Sequence, residues 1–153
     1  MEQLFRLHYL HMVRLAMQLV DDQASAEDVV QEVFAALAAG KPSPEEPLRY
    51  LRTAVVNRAR SHLRWRSLRR SLRLDPAPDA EPASAQSLRE ADRARVLTLV
   101  ARLPTRQREV VVLRYYEQLD NSEIAHVLGT TVGAVTSSQA KAMASLRRFL
   151  EAT

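Results

Sequence analysis

The sequence predicts an all-α fold of two small helical domains, and three observations carry that prediction. Apolar residues recur at three- and four-residue spacing along almost the whole 153-residue chain, with no alternating strand pattern to compete. Only three glycines and 5% aromatic residues accompany 46% apolar residues, a composition suited to compact helical cores. The seven prolines (42, 44, 47, 76, 78, 82 and 104) fall between the helical patterns instead of inside them, where a missing N–H costs least. A chain of this length holds one ordinary domain or two small ones.

Leu4, Phe5, Tyr9, Met12, Val13, Ala16, Met17 and Val20 mark a first amphipathic helix, which a short break at 21–24 ends. Ser25 is expected to cap the second helix, because Glu27 and Asp28 then stand in its first turn, against the positive end of the helix dipole. Its stripe of Val29, Val30, Val33, Phe34 and Leu37 should be buried, leaving Asp28, Gln31, Glu32 and Ala35 outward. The segment 40–47 reads as a loop, and from Leu48 a third helix runs through Leu51, Ala54, Val55, Ala59 and Leu63 towards Leu68.

Composition changes at Asp75. The segment 75–87, DPAPDAEPASAQS, has three acids, three prolines and no large apolar side chain, so it cannot bury enough surface to offset its ordering entropy. It reads as a flexible acidic Pro/Ala linker between a domain at 1–74 and one at 88–153. Fully extended, it spans roughly 45 Å. Adding the radii of two small domains gives a reach of about 70 Å, some two turns of DNA.

In the second domain a helix over 88–103 is expected to bury Val96, Leu97, Leu99, Val100 and Leu103, and another runs over 106–117. The stretch 119–150 then reads as a helix-turn-helix. Asp120 with Glu123 forms a capping-box pattern, Thr131 can cap the following helix, and Gly129 sits at the turn, where a left-handed backbone costs other residues more. Ala125 is small where the helices cross, and Ile124, Val127, Leu128, Val135, Met143, Leu146 and Leu150 supply the apolar face. Alone, the same pattern also fits a helical hairpin with no nucleic-acid role.

Charge is unevenly spread. Nine arginines and no acid lie between Leu48 and Leu74, so this piece carries +9 while the rest of the chain sums to −5. Such a field attracts a phosphate backbone through counterion release, and an all-arginine, acid-free helix beside a helix-turn-helix favours that reading over a merely solvated basic face. Absence of cysteine excludes disulfides and thiolate metal sites, and no stretch approaches the roughly 18 apolar residues of a membrane span. A cytoplasmic protein without membrane insertion is expected. An enzyme finds little support, since there is no glycine-rich phosphate loop. His8 and His11 share a helix face without a nearby carboxylate in sequence, so neither a metal nor a cofactor is expected.

Three motifs in order resemble the extracytoplasmic-function group of bacterial RNA polymerase sigma factors: AEDVVQEVF at 26–34, LRYLRTAVVNRARSHLR at 48–64 and LPTRQREVVVLRYYEQLDNSEIAHVLGTTVGAVTSS at 103–138. The resemblance implies a factor that binds core polymerase and directs promoter recognition, melting and initiation. Asp28, Gln31 and Glu32 match positions that contact the β′ clamp helices, and the loop 40–48 matches one that captures a flipped base. Tyr50, Asn57, Arg58, Ser61, Arg64 and Trp65 fall on the helix facing the minus-ten element. Trp65 either stacks on a base or covers the domain core. Thr131, Thr136, Ser137, Ser138, Gln139 and Lys141 fall at the start of the helix expected in the major groove at the minus-thirty-five element. Thr136 and Ser138 stand where the family commonly carries basic residues, and Ser61 where many members have aspartate. The β flap and an anti-sigma factor are further implied partners. Two competing classes are a helix-turn-helix regulator that binds DNA without polymerase and a degenerate sigma-like protein that no longer reads promoters.

Overall fold

A computed structural model of the chain describes residues 2–40, 45–72 and 88–152, and among these helix is the only regular structure. In the first half, α1 (Glu2–Leu19), α2 (Gln23–Ala39) and α3 (Pro47–Ser71) pack pairwise around a shared core that includes Met12, Leu15, Val30, Leu51 and Val55. The α2 stripe is buried as its spacing predicts. The α1 stripe is buried in part: Met12, Val13, Ala16 and Val20 lie in the core, but Phe5 and Met17 are exposed, and Leu15 and Leu19, outside the stripe, are buried. The second half also packs on α1, which broadens and rotates its covered face. Phe5 is still used, stacked on Tyr9 with centroids 4.5 Å apart and edge-on to Phe34 at 5.2 Å.

The cap of α2 is Asp22, not Ser25. Asp22 has the extended backbone of an N-cap, and its carboxylate accepts from the Ser25 N–H at 2.8 Å and the Ser25 hydroxyl at 2.9 Å. A carboxylate three residues ahead outcompetes the serine, which becomes its ligand. Arg66 of α3 donates to the same carboxylate at 2.8 Å, tying the α1–α2 corner to the long helix. Burial raises the Asp22 pKa, but the bonds from Ser25 and the Arg66 charge outweigh it and hold the group below 3.8. Pro47 starts α3, where its fixed φ fits and its missing N–H would have had no partner. The expected loop falls partly on residues 41–44, outside the described residues, as does the expected linker 75–87.

The second half comprises α4 (Leu88–Ala101), α5 (Thr105–Val111), a π-helical turn (Val112–Tyr116), α6 (Asn121–Leu128) and α7 (Val132–Glu151). The single helix expected over 106–117 is therefore broken in pitch. Glu117 N–H donates to Val112 O at 3.1 Å, and Gln118 takes a φ of 58°, an unusual value for a side-chain-bearing residue. In α4, Leu99 and Val100 carry the packing, with Leu103 just beyond, while Val96 and Leu97 are turned out into an open groove beside Arg14, Met17 and Tyr116. At the end of α7 Leu150 is exposed and Phe149 packs instead, with the Arg102 guanidinium 4.1 Å from its ring centre.

The helix-turn-helix is built as its sequence predicts. Asp120 and Glu123 exchange both capping-box bonds, and the Thr131 hydroxyl accepts from Ala134 N–H at 3.1 Å. Gly129 has a φ of 62°, and the Thr130 and Gly129 N–H groups close the helix end on Ala125 O and His126 O, the paired bonds of a Schellman motif. Ala125 and Val135 are buried where α6 and α7 meet. The two halves do not stand apart: α6 packs on α3, and the π turn and α4 pack on α1.

Candidate nucleic-acid interface

Helix α3 presents three different faces. Leu51, Val55, Val56 and Ala59 lie in the core of the first half. A second flank carries Arg52, Arg60 and Arg66, each 17–23% exposed and each bonded to an acid: Glu117, Glu109 and Asp22 respectively. The third face is open, and Tyr50, Asn57, Arg58, Ser61, Arg64 and Trp65 all stand on it, exposed. Spacings of three, four and seven residues put these side chains on one side of the helix.

Four of the six residues expected at the minus-ten DNA share one cleft. Tyr50, Asn57, Arg58 and Ser61 of α3 face Val33 and Ala36 of α2 across a space of about 240 Å³. Arg64 and Trp65 lie further along, in a shallow apolar depression with Leu68. Trp65 is 59% exposed, so it does not cover the core. The cleft is walled by apolar α2 atoms and rimmed by one guanidinium, one amide and two hydroxyls, which can stack on a planar ring and donate to or accept from its edge.

Asp28, Gln31 and Glu32 project together from α2 and are exposed. Glu32 also accepts from Arg58 at 3.2 Å, so the acidic face and the cleft adjoin through a pair that is about half exposed on both sides. Such a pair is easily exchanged for an external partner.

On α7, Thr131, Thr136, Ser137 and Lys141 are exposed, while Ser138 and Gln139 are half-buried at the edge of the same face. Two of these side chains are held from the neighbouring helices. Asn121 donates to the Thr136 hydroxyl at 3.4 Å, and Gln139 donates to the Tyr115 hydroxyl at 3.4 Å. Tyr115, 57% exposed and not anticipated from sequence, thereby joins the α7 face. Hydroxyls and an amide here can read base edges, but Lys141 supplies the first cation.

The functional candidates that sequence reasoning missed lie between the halves. Glu109 and Glu117 are buried against α3, and Arg108 is buried against the end of α1, where it donates to Gln18 O at 2.9 Å and Val20 O at 3.1 Å. Burial lowers the Arg108 pKa, and Asp21 opposes that shift. Nothing in the local pattern distinguishes these residues from ordinary solvated charges. His11 is engaged here too, with Nε2 at 2.8 Å from Glu117. Among the described residues no group of three or more histidines and acids is arranged to hold a metal.

Two family models match the chain, sigma-70 region 2 over residues 4–69 and sigma-70 region 4 over residues 93–146. The chain is 33% identical over 145 residues to the RNA polymerase sigma-E factor of Streptomyces coelicolor, covering 92% of this chain and 80% of that protein. Among solved structures it is similar to CnrH in complex with the cytosolic domain of CnrY, with 28% identity, a TM-score of 0.69, and coverage of 99% of this chain and 87% of that one. The sigma factor RpoE in complex with the anti-sigma factor NepR from Bartonella quintana shares the fold at 21% identity, with a TM-score of 0.72 over 98% of this chain and 96% of that one. Carrying both matched regions in order over helices of the same fold, the chain belongs to the sigma-70 family of RNA polymerase sigma factors, of the extracytoplasmic-function type.

Proposed function

We propose the following division of labour within a factor that binds core polymerase and directs transcription initiation. Residues 1–74 dock on polymerase and open the minus-ten DNA, residues 75–87 tether, and residues 88–153 read the minus-thirty-five element. The observation that carries this reading is the convergence of Tyr50, Asn57, Arg58 and Ser61 on one α2–α3 cleft directly beside the exposed Asp28, Gln31 and Glu32 face. Docking on polymerase thereby brings the cleft to the strand that must be unpaired. Asn57, Arg58 and Ser61 bond the edge of an extruded base, with Tyr50 and Trp65 as stacking platforms and Arg64 on a phosphate. Thr136, Ser137, Ser138, Gln139 and Lys141 face the upstream bases, with Thr131 at the cap next to phosphate.

The protein works in the cytoplasm, where polymerase is; no helix among the described residues is long and apolar enough to cross a membrane. The solved relatives in complex with NepR and with CnrY support an anti-sigma factor as a further partner. A regulator acting without polymerase would leave the α2 face and the cleft without a role.

Replacing Gln31 and Glu32 together by alanine tests the docking assignment. Both are exposed, so thermal stability should change by less than about 0.5 kcal/mol. Affinity for core polymerase should fall about tenfold or more. Wild-type affinity in the double variant would refute the assignment.

A further inference from the structure

We propose that Tyr115 and Asn121, neither of them on α7, set which bases α7 reads: they orient the Gln139 amide and the Thr136 hydroxyl so that Gln139 takes an adenine and rejects a guanine, and Thr136 takes a base that carries an amino group. The inference rests on the reading of α7 above as the helix facing the upstream bases. It adds two positioning residues and the base class they select.

Thr136 donates its only proton to Val132 O, one turn back on its own helix, at 3.0 Å. Its oxygen can therefore only accept. Asn121, at the start of α6, uses that oxygen, donating from Nδ2 at 3.4 Å. The other end of the same amide, Asn121 Oδ1, is buried without a hydrogen-bond partner, which costs free energy and marks the side chain as held for something other than its own satisfaction. Turning the amide over would bury an orphaned N–H and set oxygen against oxygen. Thr136 is thus pinned from outside its helix, with a lone pair left for an amino group of adenine or cytosine.

One turn further along α7, Gln139 Nε2 donates to the Tyr115 hydroxyl at 3.4 Å. An amide has two N–H donors and one carbonyl, so with one N–H on Tyr115 the half-buried Gln139 keeps one donor and its acceptor. Adenine shows the major groove an acceptor and a donor side by side, whereas guanine shows two acceptors. The anchored amide fits adenine and meets guanine with carbonyl against carbonyl. Freed from Tyr115, it could turn both N–H groups to guanine. The Tyr115 hydroxyl, 57% exposed, keeps its own proton for a phosphate oxygen. No cation stands on α7 before Lys141, so the side chains that most often read guanine are missing from these two turns. Both bonds from the neighbouring elements are long in the free chain, and expulsion of water by bound DNA strengthens them. Thr136 and Gln139 lie about 4.5 Å apart along the helix axis. Base pairs stack at about 3.4 Å, so the two contacts fall on neighbouring positions.

The test uses the full chain assembled with core polymerase. The probe is a set of duplexes with a pre-melted minus-ten bubble and a random window of about ten base pairs centred about two turns upstream, and the bound DNA is sequenced. The parent should enrich one position for adenine over guanine by about tenfold, and Gln139→Ala should abolish that preference and so mark the position. Tyr115→Phe keeps the ring and removes the hydroxyl. It should readmit guanine there, cutting the ratio to about threefold or less, with the other positions and the melting temperature as in the parent. Combined with Gln139→Ala it should add nothing at that position. Asn121→Ala should relax a second position beside the first, the same one that Thr136→Val relaxes. Guanine preferred by the parent at the Gln139 position, an adenine preference unmoved by Tyr115→Phe, or a Tyr115→Phe loss spread evenly over all positions would each overturn the proposal while leaving α7 as the upstream reader. A parent complex with no enriched position would overturn it together with the reading of α7 beneath it.

Discussion

Helices α3 and α7 both turn an exposed polar face to solvent, but they hold it by different means. Helix α3 carries eight arginines and no acid between Pro47 and Ser71; α7 has Lys141, Arg147 and Arg148 against Glu151. Helix α7 begins at a proper cap, while α3 starts from Pro47 without a side-chain cap and is anchored along its length by ion pairs. A strongly basic helix binds phosphate at almost any sequence, so α3 suits opening DNA already brought to it. Under the proposed division of labour, the weakly charged α7 would discriminate by hydroxyls and an amide, and would depend on being held near its site, where tethering to polymerase and to the first half raises its effective concentration. On that proposal, charge would supply grip in one half and geometry selectivity in the other.

The sharpest way to break that contrast is to disable the open face of α3. Asn57→Ala should cut transcription from a duplex promoter about tenfold, the equivalent of one lost hydrogen bond at ~1–1.5 kcal/mol. A template already mismatched at the minus-ten element should recover most of it, because unstacking no longer has to be driven. Equal loss on both templates would remove the melting role.

Giving α7 the charge it lacks blurs the contrast. Thr136→Arg with Ser138→Arg should tighten upstream binding by the full chain roughly fivefold. It should also steepen the salt dependence by up to about 2 in log–log slope, at about 0.9 per phosphate neutralised. Selectivity should relax, because added charge acts on every sequence. The exposed Thr136 should contribute more than the half-buried Ser138. An unchanged slope would show that these positions do not face phosphate.

The smallest effect concerns how the arginine helix is anchored. Asp22→Asn keeps the cap of α2 but removes the charge facing Arg66, and because Asp22 is 40% exposed the loss at neutral pH should be at most about 1 kcal/mol. The Asp22 pKa is depressed on folding, so its contribution is present above 3.8 and is lost as pH falls through the lower folded value. The melting-temperature difference between parent and variant should close over that acid range. A difference that persists there would assign the effect to the cap and not to the charge.

Much of the fold is legible in the sequence where local chemistry decides it. The capping box at Asp120 and Glu123, the left-handed Gly129 and the Val29–Leu37 stripe each depend on neighbours within one turn, and each is found as expected. The readings that changed depend on distant contacts. Phe5, Met17, Val96 and Leu97 are apolar at helical spacing yet exposed, because the surfaces covering their helices come from the other half. Ser25 is the exception, since it lost its cap to a carboxylate only three residues ahead, which Arg66 also ties to α3. The open-face residues were named from the resemblance to sigma factors, not from spacing, and the structure sets them together on the exposed side of α3. Glu109, Glu117 and Arg108 were not found, because a charge buried between two domains looks like a solvated one in sequence.

Transcription by core polymerase plus this chain on genomic DNA, read by sequencing the transcript starts, tests the central claim most directly. The account predicts a limited set of starts, absent with core alone, that share two upstream elements at a constant spacing of about two turns of DNA. Loss of those starts with the Gln31→Ala and Glu32→Ala pair should accompany it. Starts no different from those of core polymerase alone would contradict it.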